Sequence, residues 1–293
     1  MSAATGEATA ARRAAPPARL PLVLAAAVVL LQVAYPLLDG TALHRLTVVT
    51  VVVFCLASVS HAALALGAAA AGRLLLVAGG TSLLAEAVGV ATGVPFGEYA
   101  YAGTLGPQLL GVPLVVPLAW TMMAYPTLVA ARAVTAGAPP HRRRLLTAPL
   151  AALGLTAWDL FLDPQMVGQG HWTWAHPDPH LPGMDGIPLT NLAGWLLVSL
   201  LVQALLDRTL PEPALPGSGS GSGERQLSPV GPGAVALLLG WTWLGSAVAA
   251  TFFFDRPAVG AWVLVAMAPL VLPALLRWYP GLVSRRHRAP RPR

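Results

Sequence analysis

The sequence predicts an all-α protein, a polytopic membrane bundle of about eight transmembrane helices. Three observations predict it. Hydrophobic residues make up 56% of the 293-residue chain and charged residues only 10%, against about 25% charged in an ordinary soluble domain. The apolar residues fall into runs near 20–38, 44–66, 74–92, 112–131, 145–162, 187–206, 234–254 and 258–276, the length that crosses a bilayer. The basic residues cluster at the ends of those runs, as membrane topology requires.

The first run follows Arg12, Arg13 and Arg19, as a signal peptide follows its charged start. It is longer than a signal core and lacks a small-x-small cleavage site, so it reads as a retained span. The second begins near Arg45 and holds Cys55, the single cysteine, which excludes an intrachain disulfide. The third contains Glu86 and the fifth ends at Asp159 and Asp163, in "AWDLFLDPQMV". The fourth and sixth carry Trp120 and Trp195 near their starts. Residues 211–233 are rich in Gly, Ser and Pro and read as a flexible linker between a six-helix core, 20–210, and two further helices, 234–280. Residues 1–19 and the basic tail 281–293 read as disordered. Trp241, Trp243 and Phe252–Phe254 read as packing and interfacial residues.

There is no lysine, so all 18 basic residues are arginine. With the N-terminus in the cytoplasm, sixteen arginines fall on the inner side and only Arg45 and Arg256 outside. That split requires an even number of spans and puts both termini in the cytoplasm of a multi-pass plasma-membrane protein. The formal charge of +6 therefore reflects topology, and nucleic acid is excluded as a partner.

The two long outer loops belong to an internal repeat, pairing helices three and four with five and six. Glu86 lies 13 and 15 residues before Tyr99 and Tyr101; Asp159 lies 13 and 15 before Trp172 and Trp174. Each loop leads into a matching span, "GVPLVVPLAW" (Gly111–Trp120) and "GIPLTNLAGW" (Gly186–Trp195). Sites form where such repeats meet. At 1.5 Å of rise per residue, Glu86, Asp159, Trp120, Trp195 and Gln32 lie ~18–22 Å from the inner arginines, and Asn191 ~25 Å.

A carboxyl in the bilayer is costly and is a functional candidate by default. Asp159 and Asp163, four apart, share one helix face. Pro164 disfavours helix at Asp163, which places the pair in the last turn, where the helix dipole disfavours a second negative charge. This arrangement suits a carboxylic acid that donates a proton. Glu86 and Asp159 are the expected principal acids, with Asp163 in support. Tyr99, Tyr101, Trp120, Trp172, Trp174 and Trp195 offer π faces, each worth roughly 0.5–2 kcal/mol to a cation. With Glu98 and Asn191 they form the expected substrate-binding set. Proton donor and aromatic lining together point to protonation of a lipid carbon–carbon double bond, with water capturing the cation. His171, His176 and His180 read as a solvated loop rather than a metal site, and no redox cofactor motif is visible.

At these residues the chain resembles the CruF-type carotenoid hydratases, the "carotenoid biosynthesis protein" family of integral membrane proteins. The stretches that carry the resemblance are "GVPFGEYAYAGTLGPQLLGVPLVVPLAW" (Gly93–Trp120) and "DLFLDPQMV…WTW…GIPLTNLAGW" (Asp159–Trp195). It covers roughly residues 74–208; the long Gly/Ser linker departs from it. The resemblance implies cofactor-independent hydration of the terminal double bond of an acyclic carotenoid end, giving a tertiary alcohol. Its partners would be a carotenoid in the bilayer, water and other enzymes of carotenoid biosynthesis. A membrane prenyltransferase is the second reading, because "DLFLD" matches the D-x-x-x-D pattern that binds magnesium diphosphate. It lacks a second acidic motif, and only Arg45 and Arg256 share that side. A non-enzymatic carotenoid carrier is the third.

The arginine split yields a direct test. Reporter fusions after Arg142 and after His176 are expected to report opposite sides of the membrane. Reports from the same side would refute the eight-span topology.

Overall fold

The computed structural model describes residues 16–212 and 230–281. The readings of a disordered N-terminus before residue 16, of the linker over 213–229 and of the tail from 282 lie outside the described residues. Pro16–Arg19, read as part of the disordered start, are helical.

Among the described residues, eight long helices form one bundle. They are α1 (Pro16–Ala34), α2 (Gly40–Leu66), α3 (Ala68–Thr92), α4 (Val115–Thr135), α5 (Pro140–Gly168), α6 (Leu189–Thr209), α7 (Gly233–Phe252) and α8 (Pro257–Trp278). Every apolar run of the sequence corresponds to one of them. Seven are long and apolar enough to cross a membrane; α4 alone has no stretch apolar enough to do so. The reason is its position. It packs against α2, α5 and α8, and most of its length, from Val115 to Thr135, is buried. A helix shielded by neighbours need not match the lipid, so Thr121, Thr127 and Arg132 are tolerated there. The last two helices, α7 and α8, pack into the same bundle, α7 on α1 and α8 on α4 and α5.

Two helices depart from regular geometry. α3 carries a π-helical turn at Leu75–Gly79, seven residues before Glu86, and such turns are frequent at functional sites. α5 corrects an expectation. Pro164 lies inside the helix, which continues to Gly168, so Asp159 and Asp163 are not in its last turn. A proline removes one helical N–H but does not end a helix whose flanks are held. Here the chain beyond it is anchored: the Pro164 carbonyl accepts a hydrogen bond from Arg256 at the start of α8.

The two ends of the bundle differ. At one, Arg132 is buried against Asp207 at 2.8 Å and donates to the carbonyls of Asp207, Leu210 and Pro211. Arg143 pairs with Glu212 at 2.5 Å. At the other lie the two long loops. The α3–α4 loop forms three short strands, β1 (Tyr99–Tyr101), β2 (Gln108–Leu109) and β3 (Val112–Pro113), and the α5–α6 loop forms β4 (Trp172–Trp174). β2 pairs with β3, while β1 pairs antiparallel with β4 across the repeat. Tyr99 stands opposite Trp174 and Tyr101 opposite Trp172. The ladder is extended by Ala102 N–H to His171 O and Ala175 N–H to Glu98 O, both at 2.9 Å.

This paired cap sits close on the helices because two of them present glycine. Phe96 packs between Gly89 on α3 and Gly194 on α6. A Cβ at Gly194 would stand 2.7 Å from the Pro95 carbonyl oxygen and 2.8 Å from the Phe96 ring. Gly194→Ala is therefore expected to destabilise the protein by about 1–3 kcal/mol, the usual cost of overpacking, read as a lower thermal midpoint in detergent. An unchanged midpoint would show that the cap does not bear on α6.

Candidate active site

The strand pairing brings the aromatic-x-aromatic motifs together, and alternation along each strand decides which side chains face the bundle. Tyr99, Trp172 and Trp174 are buried and Tyr101 nearly so, whereas Glu98, Ala100 and Thr173 face outward. Under this cap lies a cavity. It is lined by Glu86, Tyr99, Tyr101, Trp120, Asp163, Trp172, Trp174, Asn191 and Trp195, all expected from sequence. Glu98 and Asp159 do not line it. The Glu98 side chain is 72% exposed and lies 3.7 Å from His176, so its expected contact with substrate is corrected by strand alternation.

Glu86 is the most heavily bonded of the acids. Its Oε2 accepts the Tyr99 hydroxyl at 2.5 Å and the Tyr101 hydroxyl at 2.9 Å, and its Oε1 accepts Trp120 Nε1–H at 3.0 Å. The offsets of 13 and 15 residues seen in the sequence are these two hydroxyl bonds. Three donors and no acceptor is the environment that suits a carboxylate.

The second half of the repeat divides the same task between two acids. Trp172 Nε1–H donates to Asp163 Oδ1 at 3.2 Å. Asn191 Nδ2–H bridges Asp163 Oδ2 and, at 3.3 Å, Asp159 Oδ2. The two carboxyls, one helical turn apart, lie within hydrogen-bonding reach of each other. Asp163, not Asp159, faces the cavity and touches the aromatic loop. Asp159 lies behind Asn191, where its Oδ1 has no partner among the described residues. It borders a separate small pocket, closed by Met184, Pro188 and Leu192, with room for about one water molecule. Trp174, the counterpart of Tyr101 in the offset pattern, donates to the Phe96 carbonyl at 2.9 Å.

The tryptophans at the tenth position of each lead-in meet face to face. The Trp120 and Trp195 rings stack at 4.0 Å and 11°, and Trp158 meets Trp195 edge-on at 6.0 Å. The remaining lining was not singled out in the sequence: Thr47, Val51, Val115, Val116, Ala119 and Leu162 are ordinary residues of apolar runs, and Phe96, Leu105 and Met166 lie between the runs. Gln32, placed at the same depth by counting, bonds Trp241 Nε1–H at 2.7 Å in a neighbouring cavity. Among the described residues no group of three or more His, Cys, Asp or Glu is placed to hold a metal ion.

Residues 46–266 match the sequence profile of a family described as carotenoid biosynthesis protein. Bisanhydrobacterioruberin hydratase of Haloarcula japonica is 34% identical over 123 residues. The matched segment is 42% of this chain and 40% of that relative's length. No solved structure matches.

One loop histidine behaves unexpectedly. His171 is not solvated but 1% exposed, bonded to Thr104 at 2.6 Å and Gln169 at 3.0 Å and packed on the His44 ring. Burial, reinforced by His44, holds its imidazole down to about 4. The unfolded chain therefore takes up a proton that the native state refuses between its ordinary value, about 6.5, and 4. Stability from this group is complete above that window and is lost as pH falls through it. The thermal midpoint is expected to fall between about pH 7 and about pH 5, and His171→Gln to remove part of that fall. An equal fall in the variant would refute burial of His171 as a cause.

Proposed function

Since the chain belongs to the carotenoid biosynthesis protein family, we propose that it is a carotenoid hydratase. It adds water across the terminal trisubstituted double bond of an acyclic carotenoid end and forms a tertiary alcohol. The observation that carries this reading is the cavity: buried carboxyls from both repeats face one space walled by tryptophan and tyrosine rings. The hydratase name of the Haloarcula relative supports it.

The Asp159–Asp163 pair is the acid. Two carboxyls this close share a proton, and Asp163 presents it to the cavity. Asp163 O–H protonates the less substituted alkene carbon, and the electron pair of the double bond forms the new C–H bond. The tertiary cation left behind is the most stable available. The stacked Trp120 and Trp195 and the Tyr faces shield it, while Glu86, held in place by three donors, supplies a fixed negative charge. The oxygen of a water molecule bonds to the cation, and the proton it sheds returns to the aspartate pair. Atoms balance as alkene plus water giving alcohol, and no electrons are transferred. Asn191 is a positioning residue, since its amide holds both aspartates in register. Asp159, outside the cavity, acts through Asp163 by sharing its proton.

The alternative reading of "DLFLD" as a diphosphate motif finds less support. Among the described residues, the cavity lining includes no arginine, lysine or histidine to neutralise a diphosphate.

Membranes containing the protein, an acyclic carotenoid and isotopically labelled water are expected to yield a product with labelled tertiary hydroxyl oxygen. Label from molecular oxygen would mean a hydroxylase, and a mass gain of one prenyl unit a prenyltransferase. Asp163→Asn and Glu86→Gln are each expected to lower turnover by about 10²–10⁴-fold, with Asp159→Asn costing less than Asp163→Asn. Near-normal turnover in both Asp163→Asn and Glu86→Gln would remove this mechanism.

A further inference from the structure

A second cavity lies among α1, α2, α4, α5 and α7. None of the three buried acids lines it. It meets the first cavity at four side chains, Thr47, Val51, Leu162 and Met166, which line both. Its walls carry the aromatic side chains of Phe54, Trp158, Phe161, Trp241 and Phe254. The Trp241 N–H is satisfied by Gln32, which fixes the ring and leaves its faces for apolar contact. Gly245 makes room for that ring, since a Cβ there would stand 3.0 Å from it.

We propose that this second cavity is the binding channel for the polyene chain of the substrate, whose acyclic end passes between Thr47, Val51, Leu162 and Met166 to reach Asp163 and Glu86. The proposal rests on the hydratase reading. An acyclic end under the cap leaves the rest of a long conjugated chain to be accommodated. The paired strands lie over the first cavity, and the second adjoins it at the four shared side chains. A conjugated chain has few rotatable bonds, so threading it costs little conformational entropy. The bilayer is itself as apolar as the chain, so hydrophobic burial alone gives no preference for the channel. Contact and shape must do so, as they do between helices in lipid, and flat aromatic walls match a flat polyene. The channel also gives α1 and α7 a role, because they supply Gln32, Trp241 and Ala249 to it but nothing to the acid site.

Ala249 on α7 lines the second cavity and not the first. Ala249→Trp in the full chain fills the channel and leaves every acid in place. Turnover of a full-length acyclic carotenoid should fall about tenfold or more, while a short acyclic isoprenoid with the same terminal double bond should stay within about twofold of the unaltered protein. The short substrate reports an intact acid site. Equal losses on both substrates, or no loss on either, would overturn the channel. If Ala249→Trp fails to accumulate in membranes, Ala249→Leu is read the same way with a smaller expected gap. Binding is measured separately from turnover: the visible absorption of the full-length carotenoid should shift with the unaltered protein and not with Ala249→Trp. A shift without hydration in the unaltered protein would refute the hydratase reading and leave the channel standing. An equal shift with both proteins would refute the channel.

Discussion

Three carboxyls buried in the interior of a membrane bundle impose the constraint on which the rest of the structure depends. Glu86, Asp159 and Asp163 are each no more than 5% exposed, and a buried polar group without partners costs several kcal/mol in such surroundings. Glu86 draws its donors from Tyr99, Tyr101 and Trp120. The first two arrive only if the loop after α3 folds back over the end of the bundle. Alternate residues reach inward only if that loop is extended, and a lone extended segment has unpaired backbone groups. β4 supplies the missing partner and brings Trp172 to Asp163. The cap, its glycine seats and the aromatic lining all follow from giving these acids donors.

The two repeats meet the constraint unequally, and the inequality is where chemistry enters. The first surrounds one acid with three donors, in the proposed mechanism a fixed negative charge. The second places two acids one turn apart with a shared amide from Asn191, an arrangement that holds an exchangeable proton. A symmetric pair of sites would have supplied two donors or two anions. In the proposed hydration the divergence would supply one of each to a single cavity, as protonation followed by cation capture requires.

Outside the site, shielding decides composition. α4 alone of the eight long helices has no stretch apolar enough to cross a membrane, and its neighbours, not lipid, surround it. The opposite pattern holds for α1 and α7, whose outer faces are exposed and apolar and whose inner faces enclose the second cavity.

Helix number and approximate limits were legible in the sequence, because each span must be apolar over a length set by the bilayer. The repeat was legible too, since equal offsets from acid to aromatics mean equal reach from helix to loop. Nine of the eleven residues expected at the site line the cavity. The sequence could not show that β1 pairs with β4, because strands of three residues leave no periodicity and their partner lies 73 positions away. That pairing turned Glu98 outward and Tyr99 inward. Nor could it assign Asp163 rather than Asp159 to the cavity. Both share one helix face, and only the rotation of α5 against α6, fixed by packing around Pro164 and Asn191, separates them. Residues such as Thr47, Val51 and Leu162 were invisible for the same reason: in an apolar run, only tertiary structure decides which side faces a cavity and which faces lipid.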